Sequence, residues 1–220
     1  MTCVEFNNEF DIYYNSITSN QAPSLDIYEK SVILTLAQED LVREYYSGTN
    51  NSFEYTEEVR RALDELVKFI TVTPSKESSP LGGTQYELPK DLWFITYENV
   101  KIVDPTNECL NNTELSVVPT TQDEYNRVKN NPFKGANKRQ ALRLDIGKSK
   151  VSLISKYPLG QYTIGYISEL EPIILDDITG LTINGLSNKN ECKLNSATHR
   201  IILNKAVEIA RAVYVRNTQQ

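Results

Sequence analysis

The chain has a single histidine, His199, and three cysteines, Cys3, Cys109 and Cys192, in 220 residues. A Ser-His-Asp or Cys-His mechanism would rest on that one imidazole. The cysteines are far apart and odd in number, so they match neither a disulfide framework nor metal-ligand spacing. Reduced, mostly buried thiols in a reducing compartment account for them. No apolar run approaches the ~20 residues that span a bilayer. Glu5, Asn7, Asn8, Glu9 and Asp11 interrupt the N-terminus where a signal peptide would be apolar. These absences predict a chain that stays in the cytoplasm, or is assembled there into something that later leaves. Positive charge is also in deficit, with 23 Lys+Arg against 29 Asp+Glu and a net charge of −6. A general duplex-binding protein carries the opposite balance.

What is present is ordinary globular material, 40% hydrophobic and 24% charged, enough to bury a core. Residues 3–17 read as a helix with Val4, Phe6, Phe10, Tyr13, Tyr14 and Ile17 at near three-and-four spacing. A short terminal helix needs something to pack on, its own domain or a neighbouring subunit. Pro23 breaks the pattern, and Ser24 with Asp26 opens a second helix over 25–46. Its apolar face, Tyr28, Val32, Ile33, Leu36, Ala37, Leu41 and Tyr45, is wider than one partner requires. Thr56, Glu57 and Glu58 start a third helix with a stripe at Val59, Ala62, Leu63, Leu66 and Ile70. The β-branched run 68–73 exits from it as a strand. Residues 74–83, PSKESSPLGG, have the composition of a mobile loop or extended arm.

From Thr84 the period becomes two. Strands are predicted at 86–88, 92–103, 114–119, 141–146, 150–157 and 162–167, with a further short one at 172–175. Along 92–103, Trp93, Ile95 and Tyr97 are set against Phe94, Thr96 and Glu98 as two faces of unequal burial. Thr121 and Glu124 form a reciprocal capping box for a short helix that Pro132 ends by about Asn130. Ser196 or a neighbour caps a last helix with a stripe at Ile202, Ala206, Ile209, Ala210 and Val213. The fold class is α+β: N-terminal helices in 1–73, the arm at 74–83, and at 84–220 a mainly antiparallel sheet with one internal helix and a C-terminal helix.

No catalytic, metal-binding or cofactor-binding constellation emerges, and the chain is predicted not to be an enzyme. Gly147-Lys148-Ser149 lacks the glycine a phosphate loop needs five residues earlier; Leu142 stands there. The acidic pairs Glu57/Glu58, Asp123/Glu124, Glu169/Glu171 and Asp176/Asp177 read as solvated charge. The strongest charge feature is basic: Arg127, Lys129, Lys134, Lys138, Arg139 and Arg143, with Phe133 among them. Such a segment suits an acidic protein partner, nucleic acid or solvent alone. With Phe6, Phe10 and Tyr13 of the first helix, these residues are the candidate protein-interface set.

Three segments carry a family resemblance: TQDEYNRVKNNPFKGANKRQALRLD at 121–145, YISELEPIIL at 166–175 and ECKLNSATHRIILNKAVEIA at 191–210. In that order the chain resembles a virion structural protein of crAss-like tailed phages, and its opening, EFNNEFDIYYNSITSNQAPSLDIYEKSVILTLAQEDLV, fits as well. It departs from the family pattern at Ser168-Glu169-Leu170-Glu171, where basic residues would precede Pro172. The resemblance implies a ring protein at the portal vertex, in about twelve copies between portal and tail. Its implied partners are copies of itself, the portal protein and other tail ring proteins. Phage DNA would pass close by, no membrane would be involved, and assembly would take place in the host cytoplasm.

Overall fold

The computed structural model describes residues 1–17, 24–47, 61–75, 79, 82–147 and 149–218. Its elements run α1 (Cys3–Ile17), α2 (Ile27–Ser47), β1 (Val67–Val72), β2 (Thr84–Glu87), β3 (Leu92–Ile102), β4 (Glu114–Pro119), α3 (Gln122–Val128), β5 (Gln140–Asp145), β6 (Lys150–Ile154), β7 (Leu159–Ser168) and α4 (His199–Thr218). A 3-10 turn, Ser196–Thr198, leads into α4. Two compact units result: a helical one from Met1–Leu66 with Leu170–Gln220, and a sheet unit from Val67–Glu169. The α+β class holds. The units differ from the sequence division at 73 and 84 because α4 packs on α1 and α2, so the two chain ends close one core. No described helix is long and apolar enough to cross a membrane.

In the helical unit, α1 buries Cys3, Phe6, Phe10 and Tyr14, an arc set by three- and four-residue steps. Each phenylalanine contributes about 1.5–3 kcal/mol by leaving water. Val4 and Tyr13, read from sequence into the same stripe, are exposed. The larger correction is in α2. Its buried face is Lys30, Ser31, Leu34, Thr35, Ala37, Gln38, Leu41 and Val42, whereas Tyr28, Val32 and Ile33 are half-buried and Leu36 is exposed. Half of that buried face is polar, and its partners explain why.

The segment 171–175 lies extended along α2, and Ser31, Thr35 and Gln38 act as rungs to its backbone. Ser31 Oγ accepts from Leu175 N at 3.1 Å, Thr35 Oγ1 accepts from Ile173 N at 3.1 Å, and Gln38 Nε2 donates to Glu171 O at 3.0 Å. Helical steps of four and three residues advance about 6.0 and 4.5 Å. Two residues of extended chain advance about 6.6 Å, close enough for every second peptide to meet a rung. The opposite edge pairs Ile174 with Asn190 through N–H···O bonds of 3.0 Å in both directions. The predicted strand at 172–175 is therefore an isolated bridge, stabilised from its other side by a helix.

The third predicted helix falls partly outside the described residues (48–60). Residues 61–63 are helical and bury Ala62 and Leu63. A turn follows, and the chain enters β1 at Val67, so Ile70 lies on a strand and not on the helical stripe. Half of the predicted arm, at 76–78 and 80–81, also lies outside.

The seven strands are ordered β1-β7-β3-β4-β5-β6-β2. Neighbours are antiparallel except β4 and β5, which are parallel, so the sheet is mixed and only mainly antiparallel. A parallel pair needs a crossover, and residues 120–139, with α3, supply it. The sheet coils so strongly that edge strand β2 reaches back to β7. Tyr86 Oη donates to Gly160 O at 2.7 Å, and its ring lies 5.2 Å from that of Tyr162. These tyrosines, with Val100, Ile102, Leu115, Leu153 and Ile164, fill the core. In β3 the expected alternation fails. Register shifts between Leu92 and Phe94 and between Ile95 and Tyr97 reset the pleat. Ile95 and Glu98 thereby share a face, and Glu98 turns inward while Tyr97 faces out.

Candidate interaction surface

The crossover between β4 and β5 carries the basic segment. Thr121 caps α3, its hydroxyl accepting from Glu124 N at 3.2 Å. The return bond predicted from the Glu124 side chain is not formed among the described residues. Val128, Ala136 and Leu142, with Tyr125 and Ile154 packed against them, anchor helix and loop to the sheet.

Between those anchors the loop is tied internally. Asn131 Oδ1 accepts from Phe133 N at 2.9 Å and Lys134 N at 3.2 Å, and Asn131 O accepts from Gly135 N at 2.7 Å. Asn137 Oδ1 accepts from Arg139 N at 2.8 Å and Gln140 N at 3.1 Å, and Gln140 Nε2 donates to Gly135 O at 2.9 Å. Gly135 permits the turn: a Cβ there would stand 2.6 Å from Asn131 O and 2.8 Å from Val128 O, inside contact distance.

On this framework Arg127, Lys129, Lys134, Lys138 and Arg139 are all exposed. None has an ion-pair partner among the described residues. Phe133 stands among them 87% exposed. A large apolar ring held out by its own backbone bonds, in a segment whose cations have no ion-pair partner among the described residues, is the composition of a docking anchor.

Other residues of the predicted set lie elsewhere. Arg143 was grouped with the exposed cations, but on β5 it is taken up internally. Its side chain is 13% exposed, pairs with Glu98 and lies 3.2 Å from Asp145 Oδ1. Tyr162 Oη donates to Glu98 Oε2 at 2.8 Å. Burial outweighs the guanidinium beside it and holds the Glu98 carboxyl above the usual carboxylate range. Phe6 and Phe10 are likewise spent on the helical unit's own core, Phe6 with its ring 5.4 Å from His199. Of the three α1 residues, Tyr13 alone is exposed.

His199 is the buried first residue of α4, with Nε2 2.7 Å from Leu194 O and Nδ1 2.5 Å from the Met1 amino group. Desolvation lowers its pKa. Glu169 and Glu171 do not share a strand: β7 ends at Ser168, and Glu171 pairs with Lys193 at 2.5 Å. No group of three or more metal-ligating side chains occurs among the described residues. What sequence reasoning missed was the buried polar set, Ser31, Thr35, Gln38 and Glu98. For Ser31, Thr35 and Gln38 the hint was polar residues at helical spacing along an apolar helix face, whereas Glu98, on a strand, gave none.

A family model described as phage tail ring protein 3/4 matches residues 1–220. Similar curated proteins include "Ring protein 3" of Bacteroides phage crAss001, 46% identical over 219 residues, covering 96% of this chain and 95% of the relative. "Ring protein 4/5" of the same phage is 35% identical over 236 residues, covering 100% of this chain and 96% of the relative. The chain therefore belongs to the phage tail ring protein 3/4 family of crAss-like phages, and is a structural ring protein of a phage.

Proposed function

We propose that this chain forms a multi-copy, non-enzymatic ring at the head–tail connector of the virion, between the portal and the tail, assembled in the host cytoplasm. About twelve copies would encircle the axis, a number that follows from matching a twelvefold portal. Its partners are copies of itself, the portal protein and neighbouring tail rings. The observation that carries this reading is the tied loop at 129–139, which with the end of α3 presents an exposed phenylalanine and five exposed cations without ion-pair partners among the described residues. A side chain so costly to leave in water and so firmly held belongs in a contact. The net charge of −6 fits a channel through which DNA passes, because like charges repel and phosphates are not retained.

Light scattering on the purified chain, followed by electron microscopy, tests the ring. A closed ring of defined copy number supports it. A chain that stays monomeric at all concentrations, or one that binds duplex DNA tightly in moderate salt, overturns it. A reconstruction of the portal vertex with this chain traced in it tests the location.

A further inference from the structure

The two units carry opposite charge. The sheet unit, 67–169, holds 13 Lys+Arg and 11 Asp+Glu, a formal +2, and the helical unit holds 10 and 18, a formal −8. In the sheet unit, Lys68, Arg143 and Lys150 are engaged with Asp91, Glu98 and Glu87, whereas the loop cations have no ion-pair partner among the described residues. In the helical unit, Asp64, Glu65 and Glu191 are exposed and have no ion-pair partner among the described residues. Glu65 and Glu191 lie close enough to His199, the first residue of α4, to act on it electrostatically, at the end of the unit where the Met1 amino group is held against His199 Nδ1. One chain thus carries exposed cations on the loop and exposed carboxylates on the helical unit, neither set ion-paired among the described residues.

A ring requires two different surfaces per copy, because only a heterologous contact repeats around an axis. We infer that the loop at 129–139 of one copy docks on the acidic surface near Glu65 and Glu191 on the helical unit of the next copy, with Phe133 at the centre of the contact. This rests on the ring reading above and names the partner of the basic loop. A second copy is favoured over DNA for two reasons. The anchor is a lone phenylalanine without the tandem aromatic platform that stacks bases. The charge that complements the loop is already present on the chain. Opposed patches also raise the encounter rate of subunits and suppress wrong registers.

Two variants test this by complementation. R127E/K138E/R139E makes the loop acidic, and D64K/E65K/E191K makes the helical surface basic. All six positions are exposed, and circular dichroism with the unfolding midpoint confirms that each variant folds. Each alone is expected to lose the ring, since its two surfaces now carry one sign. Mixed in equal amounts, they are expected to restore it, with the variants alternating, and native mass spectrometry would read equal numbers of each.

A wild-type chain that forms no ring overturns the ring reading itself. Given a wild-type ring, rings formed by the loop variant alone overturn the docking contact and leave the ring reading intact. Failure of the mixture to assemble also overturns it, as does a wild-type loop that retains duplex DNA in 0.15 M salt while the loop variant does not.

Discussion

The Thr35 hydroxyl accepts a hydrogen bond from the Ile173 amide, 138 residues further along the chain, at 3.1 Å, and donates to Ser31 O at 2.8 Å. Both groups are buried. This contact, with the rungs from Ser31 and Gln38, binds the chain's return from the sheet to its first helices. The helical unit therefore closes only when 170–175 has come back.

Thr35→Val keeps the shape and removes the acceptor, leaving the Ile173 amide buried and unsatisfied. The expected cost is about 1–3 kcal/mol, read as a lowered urea midpoint. Thr→Val at exposed Thr71, in β1, should stay within about 0.5 kcal/mol. Equal effects at the two sites would show that the rungs add nothing beyond packing.

The same residues mark where sequence reading ends. The bounds of α1 were legible because its apolar spacing is regular, and the crossover helix because Thr121 and Pro132 delimit it. The buried face of α2 was not, since its rungs are polar and are matched by a segment more than 130 residues away. Nor was the inward turn of Glu98, which depends on bulges that appear only when β3 is paired with β7. The parallel pairing of β4 and β5 is a fact of topology, which the predicted short helix between them did not by itself specify. Five of the six grouped cations could be placed together because they are neighbours in the chain. Arg143 was misread because its partner Glu98 is 45 residues upstream.

Arg143→Met should cost about 3–5 kcal/mol, because it leaves the Glu98 carboxylate buried without its cation. Adding Glu98→Gln should recover part of the loss, and a double-mutant cycle measures the coupling. The pH dependence has a definite sign. The folded Glu98 carboxyl is already raised by burial, and losing the guanidinium raises it further. The folded state of the single variant then holds this proton more tightly than the unfolded chain does. Its stability is greatest below the unfolded glutamate value, ~4.3, and falls as pH rises through the folded value. Relative to wild type, R143M should be less stable at pH 8 than at pH 5, and a deficit that does not vary with pH would contradict this.

The three cysteines should separate by reactivity. Cys109 is exposed, Cys3 is buried, and the Cys192 thiol donates to Gln38 Oε1 at 3.2 Å. Burial pushes Cys192 up to about 11, so its thiolate fraction at pH 8 is on the order of 10⁻³. Iodoacetamide labelling of the native chain at that pH, read by mass spectrometry, should modify Cys109 within minutes. Cys3 and Cys192 should react only after urea is added. Prompt native labelling at Cys192 would mean that the Gln38 contact opens readily.

Phe133→Ala separates folding from assembly. A side chain 87% exposed contributes little to the fold, so its removal should shift stability by no more than about 0.5 kcal/mol. If Phe133 anchors the contact between copies, the loss falls on association, at about 2 kcal/mol or more per interface, the scale of a central aromatic hot spot. That is roughly a thirtyfold weakening per contact. Because every interface of a ring carries it, the concentration at which rings form should rise steeply. Gly135→Ala reaches the same result by a different route. It leaves the phenylalanine in the sequence but forces a methyl against Asn131 O and Val128 O, so the ring is no longer held in place. Light scattering against concentration should therefore place both variants to the weak side of wild type. A Phe133→Ala chain that assembles at wild-type concentrations would remove this loop from the interface.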